Sequence, residues 1–443
     1  MPIAPDPTPS TDVVIVGGGP SGAACAYWLA DAGWSVVLVE RKSYPREKTC
    51  GDGLTPRSVH QIAAMGLEAA VAARGHRYDG LRAFGFGASL ELNWPEHPVF
   101  PNYGYTITRF DLDGLVAEHA ASRGATVLTE TEAIALLEPT EPRPGALRGL
   151  SGVVVKDKAT GATRELRARV VVIADGQNSR LGRELGVERN RRWPMGMALR
   201  GYYRSERSDE PWIESHLDIR DPSGTVVPGY GWIFPLGDGR VNVGVGLLST
   251  DGAWRGVNTT KLQDYFVAQV GEAWGLSPAT SLGAPTGGRL PMGLARGPRV
   301  GPNTLVVGDA AAAINPFNGE GIAYGYETGR LAAGAVGEAL AAGDLSRLAL
   351  YERRLEDAYG EYYRVARAFV RLISEPKILA ACVGLGMRVE PVMREVLVVM
   401  ANLMSPSGRG AGEAGYRALA RLSEIVPERA LSRLLGSSGQ NDD

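Results

Sequence analysis

The sequence predicts an α/β protein: a doubly wound sheet of Rossmann type joined to an antiparallel sheet and closed by a helical C-terminal region. Three observations predict it. An apolar run at Val13–Val16 leads directly into Gly17, Gly19 and Gly22 at G-x-G-x-x-G spacing. Two later apolar runs, Ala168–Ala174 and Asn303–Gly308, each run into a carboxylate, Asp175 and Asp309. Strand-like stretches at Gly196–Arg204, Trp212–Arg220, Tyr230–Leu236 and Arg240–Leu248 lie between them, the last two joined by the turn signal Gly237-Asp238-Gly239.

Each part of the first unit has a physical task. A β-branched run that is apolar throughout is expected in a buried parallel strand. The glycines let the backbone turn tightly and approach a pyrophosphate. Pro20 and Ser21 open a helix that Gly33 stops, and its first N–H groups and positive dipole end attract an anion. Ser35–Val39 reads as the second strand, with Glu40 and Arg41 at its end. Glu40 lies 18 residues past Gly22, where a carboxylate accepts hydrogen bonds from a ribose and repels a 2′-phosphate, so NADP is not expected there. Strand, turn, helix, second strand and acid in this order make a dinucleotide site, and this stretch leaves FAD and NAD unseparated.

The later segments favour FAD. A carboxylate at the end of a parallel strand sits where doubly wound sheets bind ligands. Asp309, after Gly308, is placed to hold ribityl hydroxyls. Gly319 and Gly321 let backbone N–H groups reach a flavin ring, and the helix beginning at Ile322 offers its positive end to an anionic reduced flavin. One full glycine fingerprint is present, so no separate NAD(P)H domain is expected and the electrons must come from an external donor, NAD(P)H or a redox protein.

Composition excludes other classes. The 443 residues are 44% apolar with a formal net charge of −2, which leaves no nucleic-acid footprint. Three cysteines, Cys25, Cys50 and Cys382, build no disulfide framework and fit a reducing, cytoplasmic compartment. The five histidines lack metal-ligand spacing, so no metal is expected. The first ten residues are Pro-rich and polar, without a signal peptide's apolar core. No apolar run is long enough to span a bilayer.

The order G-x-G-x-x-G, Asp175-Gly176, Gly308-Asp309 resembles flavoproteins of the p-hydroxybenzoate hydroxylase fold. That resemblance implies that Asp309 binds the ribityl chain and that Arg109, in Thr-Arg-Phe-Asp, contacts the cofactor; Arg109 with Asp111 and Asp113 also reads as the start of a capped helix. Within this fold, PREKTCGDGL (residues 45–54), PGYGWIFP (residues 228–235) and NPFNGEG (residues 315–321) resemble the geranylgeranyl reductase family over roughly residues 12–430. The resemblance implies FAD-dependent saturation of an isoprenoid double bond. The expected substrate is one isoprene unit of the menaquinone tail, with a geranylgeranyl lipid or diphosphate as the alternative. An aromatic hydroxylase of the same fold is the competing chemistry; a halogenase's Trp-x-Trp-x-Ile-Pro motif is not found.

The resemblance also places Cys50 and Gly51 beside the flavin ring, with the thiol toward the substrate. Alternation puts Tyr230, Trp232, Phe234 and Leu236 on one face, and in the return strand Asn242, Gly244 and Gly246 on another, a side-chain-free floor for an apolar tail. An aromatic stripe at period two is also ordinary core. Cys50, Tyr230 and Trp232 are the expected catalytic residues. An isolated trisubstituted alkene has no carbonyl to stabilise a carbanion, so a proton is expected to reach the less substituted carbon as a hydride from flavin N5 captures the cation. A thiol with a pKa of about 8.5 is a weak acid for that step, so Cys50 is not expected to act as sole proton source.

The expected FAD domain is discontinuous, residues 1–75, 105–185 and 285–340, with a substrate sheet from 76–104 and 186–284 and a helical region from 341–443. Between residues 364 and 388 five Lys/Arg accompany one acid, with Arg364, Arg367 and Arg371 on one helix side. This region reads either as a peripheral contact with the inner face of the cell membrane that admits the lipid or as a helical cap over the substrate sheet.

Overall fold

The computed structural model describes residues 11–404 apart from 222, 250–256, 374–379, 381 and 385, together with 416, 417 and 420. The Pro-rich lead, most of the chain beyond 404 and part of the apolar stretch 378–387 lie outside the described residues.

The first sheet has seven strands. Thr126–Leu128, Val36–Val39, Thr11–Val16, Thr163–Ile173 and Thr304–Val306 are parallel neighbours in that order. The lower half of Thr163–Ile173 continues into an antiparallel ribbon with Gly152–Asp157 and Thr131–Leu137. Val13, Val14, Ile15, Val170, Val171, Val172 and Ile173 are completely buried, which is why these runs are apolar on both faces. The second sheet also has seven strands, in the order Thr286–Pro291, Met195–Arg204, Arg240–Ser249, Gly229–Pro235, Trp212–His216, Gly80–Gly85 and Ala88–Asn93. The expected antiparallel sheet is mixed, since Trp212–His216 and Gly80–Gly85 run parallel while its other neighbours are antiparallel. The boundary expected at residue 285 also differs from this pairing: Thr286–Pro291 is an edge strand of this second sheet.

Val241, Val243, Val245 and Leu247 form one face of the second sheet and are buried with Leu262, Phe266, Val270 and Trp274 of the helix Thr259–Trp274. The opposite face, bearing the aromatic stripe, is thereby left toward the first sheet. At the far edge, Met393 and Leu397 of the helix Glu390–Met400 pack with Tyr78, Leu92 and Trp94. Of the arginines on the helix Glu361–Ile373, Arg367 turns inward. Arg367 lies 3.8 Å from the Trp193 ring centroid and donates to the Gly293 carbonyl, and Arg371 donates to that of Arg192. No helix among the described residues is long and apolar enough to cross a membrane.

The helix Pro20–Asp31 lies directly on the helix Ile322–Ala342, brought close by Gly325 and Gly329. A Cβ on Gly329 would overlap the Ser21 carbonyl and stand 3.1 Å from the Cys25 nitrogen. Gly329→Ala therefore lowers stability by about 1–3 kcal/mol although alanine is the better helix former. Thermal unfolding of the two proteins checks the sign.

Candidate active site

The site is built on the first turn. Gly17 has a φ of 108°, and a Cβ there would overlap the Ala174 carbonyl, just as one on Gly22 would overlap that of Gly17. Pro20 is the first residue of the helix, and Ser21 is buried against Gly308. Glu40 Oε2 accepts from the Gly18 amide at 3.0 Å, and Oε1 accepts from the Lys42 amide at 3.0 Å. Arg41 is exposed; the arginine that pairs with Glu40 is Arg46, at 3.3 Å.

Arg46 also reaches Asp113 at 3.0 Å. Asp113 in turn takes a bidentate pair from Arg109, Nε at 2.6 Å and Nη2 at 2.7 Å. Thr108 caps the helix Arg109–Ser122, so cap and ion pair coexist there. Sequence reasoning missed Arg46 and Asp113, although PREKTCGDGL contains the former and the i, i+4 spacing from Arg109 marks the latter.

These residues fit a dinucleotide. A Cβ on Gly19 would be 4.0 Å from Nη2 of both Arg46 and Arg109, so a shallow space lies between the turn and two guanidiniums. Arg46 Nε and Asp175 Oδ1 are shut off from solvent without a protein partner, and burial pushes the Asp175 carboxyl above its usual range. Arg296 donates to the Asp309 carbonyl at 3.1 Å and the Gln177 carbonyl at 2.5 Å, tying the two strand-end loops together. Asp309 Oδ1 lies 3.6 Å from where a Cβ of Gly321 would be, before buried Ile322. Tyr326 Oη is buried without a partner near Arg109 and Cys50, a position that the sequence did not signal.

The aromatic stripe faces this region. Tyr230 Oη donates to the Asn318 carbonyl at 2.7 Å, beside Gly319. Cβ atoms on Gly51 and Gly53 would stand 3.1 and 3.0 Å from Phe234 Cε2. The expected open glycine floor is not what the structure shows. Tyr230 pairs with Gly246 and Trp232 with Gly244, and a Cβ on Gly244 would overlap the Trp232 indole. The glycines make room for the ring itself, which donates from Nε1 to Asn242 Oδ1 at 3.0 Å, so the surface offered is aromatic.

Behind the stripe lies Asp52, within PREKTCGDGL, to which the sequence assigns no role. It is wholly buried with a φ of 67°, a strained conformation for a non-glycine residue. Its carboxylate accepts from Tyr202 Oη at 2.6 Å, Asn242 Nδ2 at 2.8 Å and the Arg109 amide at 3.2 Å. Burial nevertheless raises its pKa to about 6, the hydrogen bonds pulling the other way. Asn242 Nδ2 and Arg200 Nε both donate to the Cys50 carbonyl, at 2.9 and 3.2 Å. The Cys50 thiol is raised by desolvation, with Arg109 opposing.

Comparison with known proteins decides the family. A family model described as an FAD binding domain matches residues 10–201. The menaquinone reductase of Mycobacterium tuberculosis is 40% identical over 420 residues, 95% of this chain and 98% of that protein. Digeranylgeranylglycerophospholipid reductase 2 of Methanosphaera stadtmanae is 29% identical, over 80% of this chain and 85% of that one. The chain belongs to the geranylgeranyl reductase family of flavoproteins. As a member it binds FAD and is a flavin-dependent oxidoreductase. The solved structure of a geranylgeranyl bacteriochlorophyll reductase-like protein from Thermoplasma acidophilum shares the fold, with a TM-score of 0.70 at 20% identity, covering 96% of this chain and 98% of that one.

The raised Asp52 pKa makes a stability prediction. The folded state holds this proton more tightly than the unfolded chain, so the group's contribution is fully present below about pH 4 and is lost as pH rises to about 6. Asp52→Asn removes that slope. The stability difference between wild type and variant should shift by about 3 kcal/mol across the window, read from denaturant unfolding of both proteins at a series of pH values.

Proposed function

We propose that this protein saturates one double bond in the isoprenoid tail of menaquinone. The observation that carries the reading is the set of three rings, Tyr230, Trp232 and Phe234, facing the Cys50–Gly53 loop and the Asn318–Gly319 turn. The 40% identity to a menaquinone reductase over nearly the whole chain supports the choice of tail.

Glu40 and the glycine turn would hold the adenosine half of FAD, Arg46 and Arg109 the pyrophosphate, and Asp309 the ribityl chain. FAD, once reduced, supplies a hydride to one carbon of the double bond. The chain does the rest. The rings give the prenyl unit an apolar wall and exclude water. Asp52, Asn242 and Arg200 pin the Cys50 loop against Phe234. The raised thiol of Cys50 stays protonated at neutral pH and acts by position rather than as the acid. Electrons arrive from an external donor, NAD(P)H or a redox protein. Val389 and Val392, 41% and 48% exposed at the start of the helix Glu390–Met400, support peripheral contact with a membrane surface.

Reduced anaerobically with dithionite and given menaquinone, the FAD-loaded protein should add two hydrogens to the tail, seen by mass spectrometry. An unchanged tail mass with fully reduced flavin overturns the reading, and a gain on a geranylgeranyl lipid alone moves it to that substrate. Cys50→Ala should keep its FAD and lose about tenfold in turnover; full turnover would remove Cys50 from the site chemistry.

A further inference from the structure

We propose that Glu320 carries the proton of the double-bond reduction and hands it on from its unpartnered Oε2. The inference rests on the reading above and supplies the one reactant that reading leaves without a source. Glu320 lies in NPFNGEG, two residues past Asn318, whose carbonyl accepts from Tyr230, and two before the helix Ile322–Ala342. It therefore stands on the loop that faces the aromatic stripe.

Its partners differ in kind from those of Asp52. The Asp52 carboxylate receives two N–H donors, from the Arg109 amide and Asn242, which cannot accept a hydrogen bond in return. With the Tyr202 hydroxyl as third partner, that set favours the anion at neutral pH, burial holding the pKa at about 6. Glu320 Oε1 is held by two hydroxyls, Thr55 Oγ1 at 2.5 Å and Ser58 Oγ at 3.0 Å. Hydroxyls rotate between donor and acceptor, so the carboxyl is served in either protonation state. Glu320 is partly exposed as a residue, yet Oε2 is shut off from solvent and has no protein partner. Desolvation raises the carboxyl pKa to about 7, so the acid form is well populated at neutral pH. The charged and titratable groups around it are Arg57 and Glu327, paired with each other at 2.7 Å, and the tyrosines Tyr78, Tyr230, Tyr324 and Tyr362, which stay neutral because burial raises each of them. Two carboxyls near one site with environments that separate their roles are the usual pattern for assigning an acid.

The step balances. The carboxyl O–H bond breaks and a C–H bond forms at one alkene carbon, leaving the carboxylate. The hydride from reduced FAD forms the second C–H bond. The alkene gains two electrons, FAD ends oxidised, and water reprotonates Glu320.

The test compares wild type, Glu320→Gln and Glu320→Asp as FAD-loaded proteins. Infrared difference spectra recorded about one pH unit either side of 7 should show a protonated-carboxyl band in wild type that is missing from Glu320→Gln. Glu320→Gln should keep its flavin spectrum and accept electrons from dithionite, but reduce the menaquinone tail at least 100-fold more slowly. Glu320→Asp should recover part of that loss. Wild-type tail reduction should fall tenfold per pH unit above about 7, and the residual activity of Glu320→Gln should lack that limb. Wild-type rate and pH profile in Glu320→Gln, or the absence of a carboxyl band that the substitution removes, overturns the proposal. A wild type that shows the band but reduces no tail overturns the substrate reading instead.

Discussion

Asp113 is a carboxylate with no exposed side-chain surface, and the structure depends on how its charge is met. Left alone at that depth it would be untenable. Arg109 grips it with two hydrogen bonds and Arg46 adds a third contact, while Arg46 extends to Glu40. The chain Glu40–Arg46–Asp113–Arg109 is neutral overall and joins three pieces of sequence: the end of the second strand, the loop that leads to Cys50, and the helix Arg109–Ser122. Removing one member of such a buried network costs about 3–5 kcal/mol because a bare charge remains. The same guanidiniums that neutralise Asp113 define the space over Gly19, so the pairing that holds the fold together also shapes the cofactor cradle.

The charge network sets where the Cys50 loop can lie, and the second sheet fixes its other side. Gly51 and Gly53 bring the loop onto Phe234, and Asp52 anchors it to Tyr202 and Asn242 of neighbouring strands. On the opposite flank, Asn315 binds the Met400 carbonyl at 3.0 Å and Arg57 that of Asn402 at 2.9 Å. The NPFNGEG loop is thus held from behind by the C-terminal helix while its front meets Tyr230.

What the sequence showed and what it hid follow from range. The glycine turn, Glu40, Asp175 and Asp309 are legible because each lies within or directly after a strand whose apolar pattern announces it. Arg46 and Asp52 escaped because their roles come from partners that spacing does not connect: Asp52 meets Tyr202 and Asn242, 150 and 190 positions away. Glu320 meets Thr55 across 265 positions. The glycine floor was misread for a related reason. Period two showed correctly which residues share a face, but it carries no information on whether an indole lies down on the glycine opposite. The arginines of the helix Glu361–Ile373 form one row by periodicity, and Arg367 becomes an internal contact once Trp193 and Gly293 are folded beneath it.

The close approach of the Trp232 indole to Gly244 has a bearing on how the shape of this face can evolve. Beneath that ring there is only backbone, so the depth of the trough at this point is the thickness of one side chain. Trimming position 232 deepens it without disturbing any core packing on the far face, where Val243 and Val245 stay sealed under the helix Thr259–Trp274. Adding a methyl at position 244 does the reverse and evicts the ring. Two facing strand positions therefore set the relief of this face, and because the Trp232 ring also holds Asn242, which binds Asp52 and the Cys50 carbonyl, a change there reaches the loop beside Arg109.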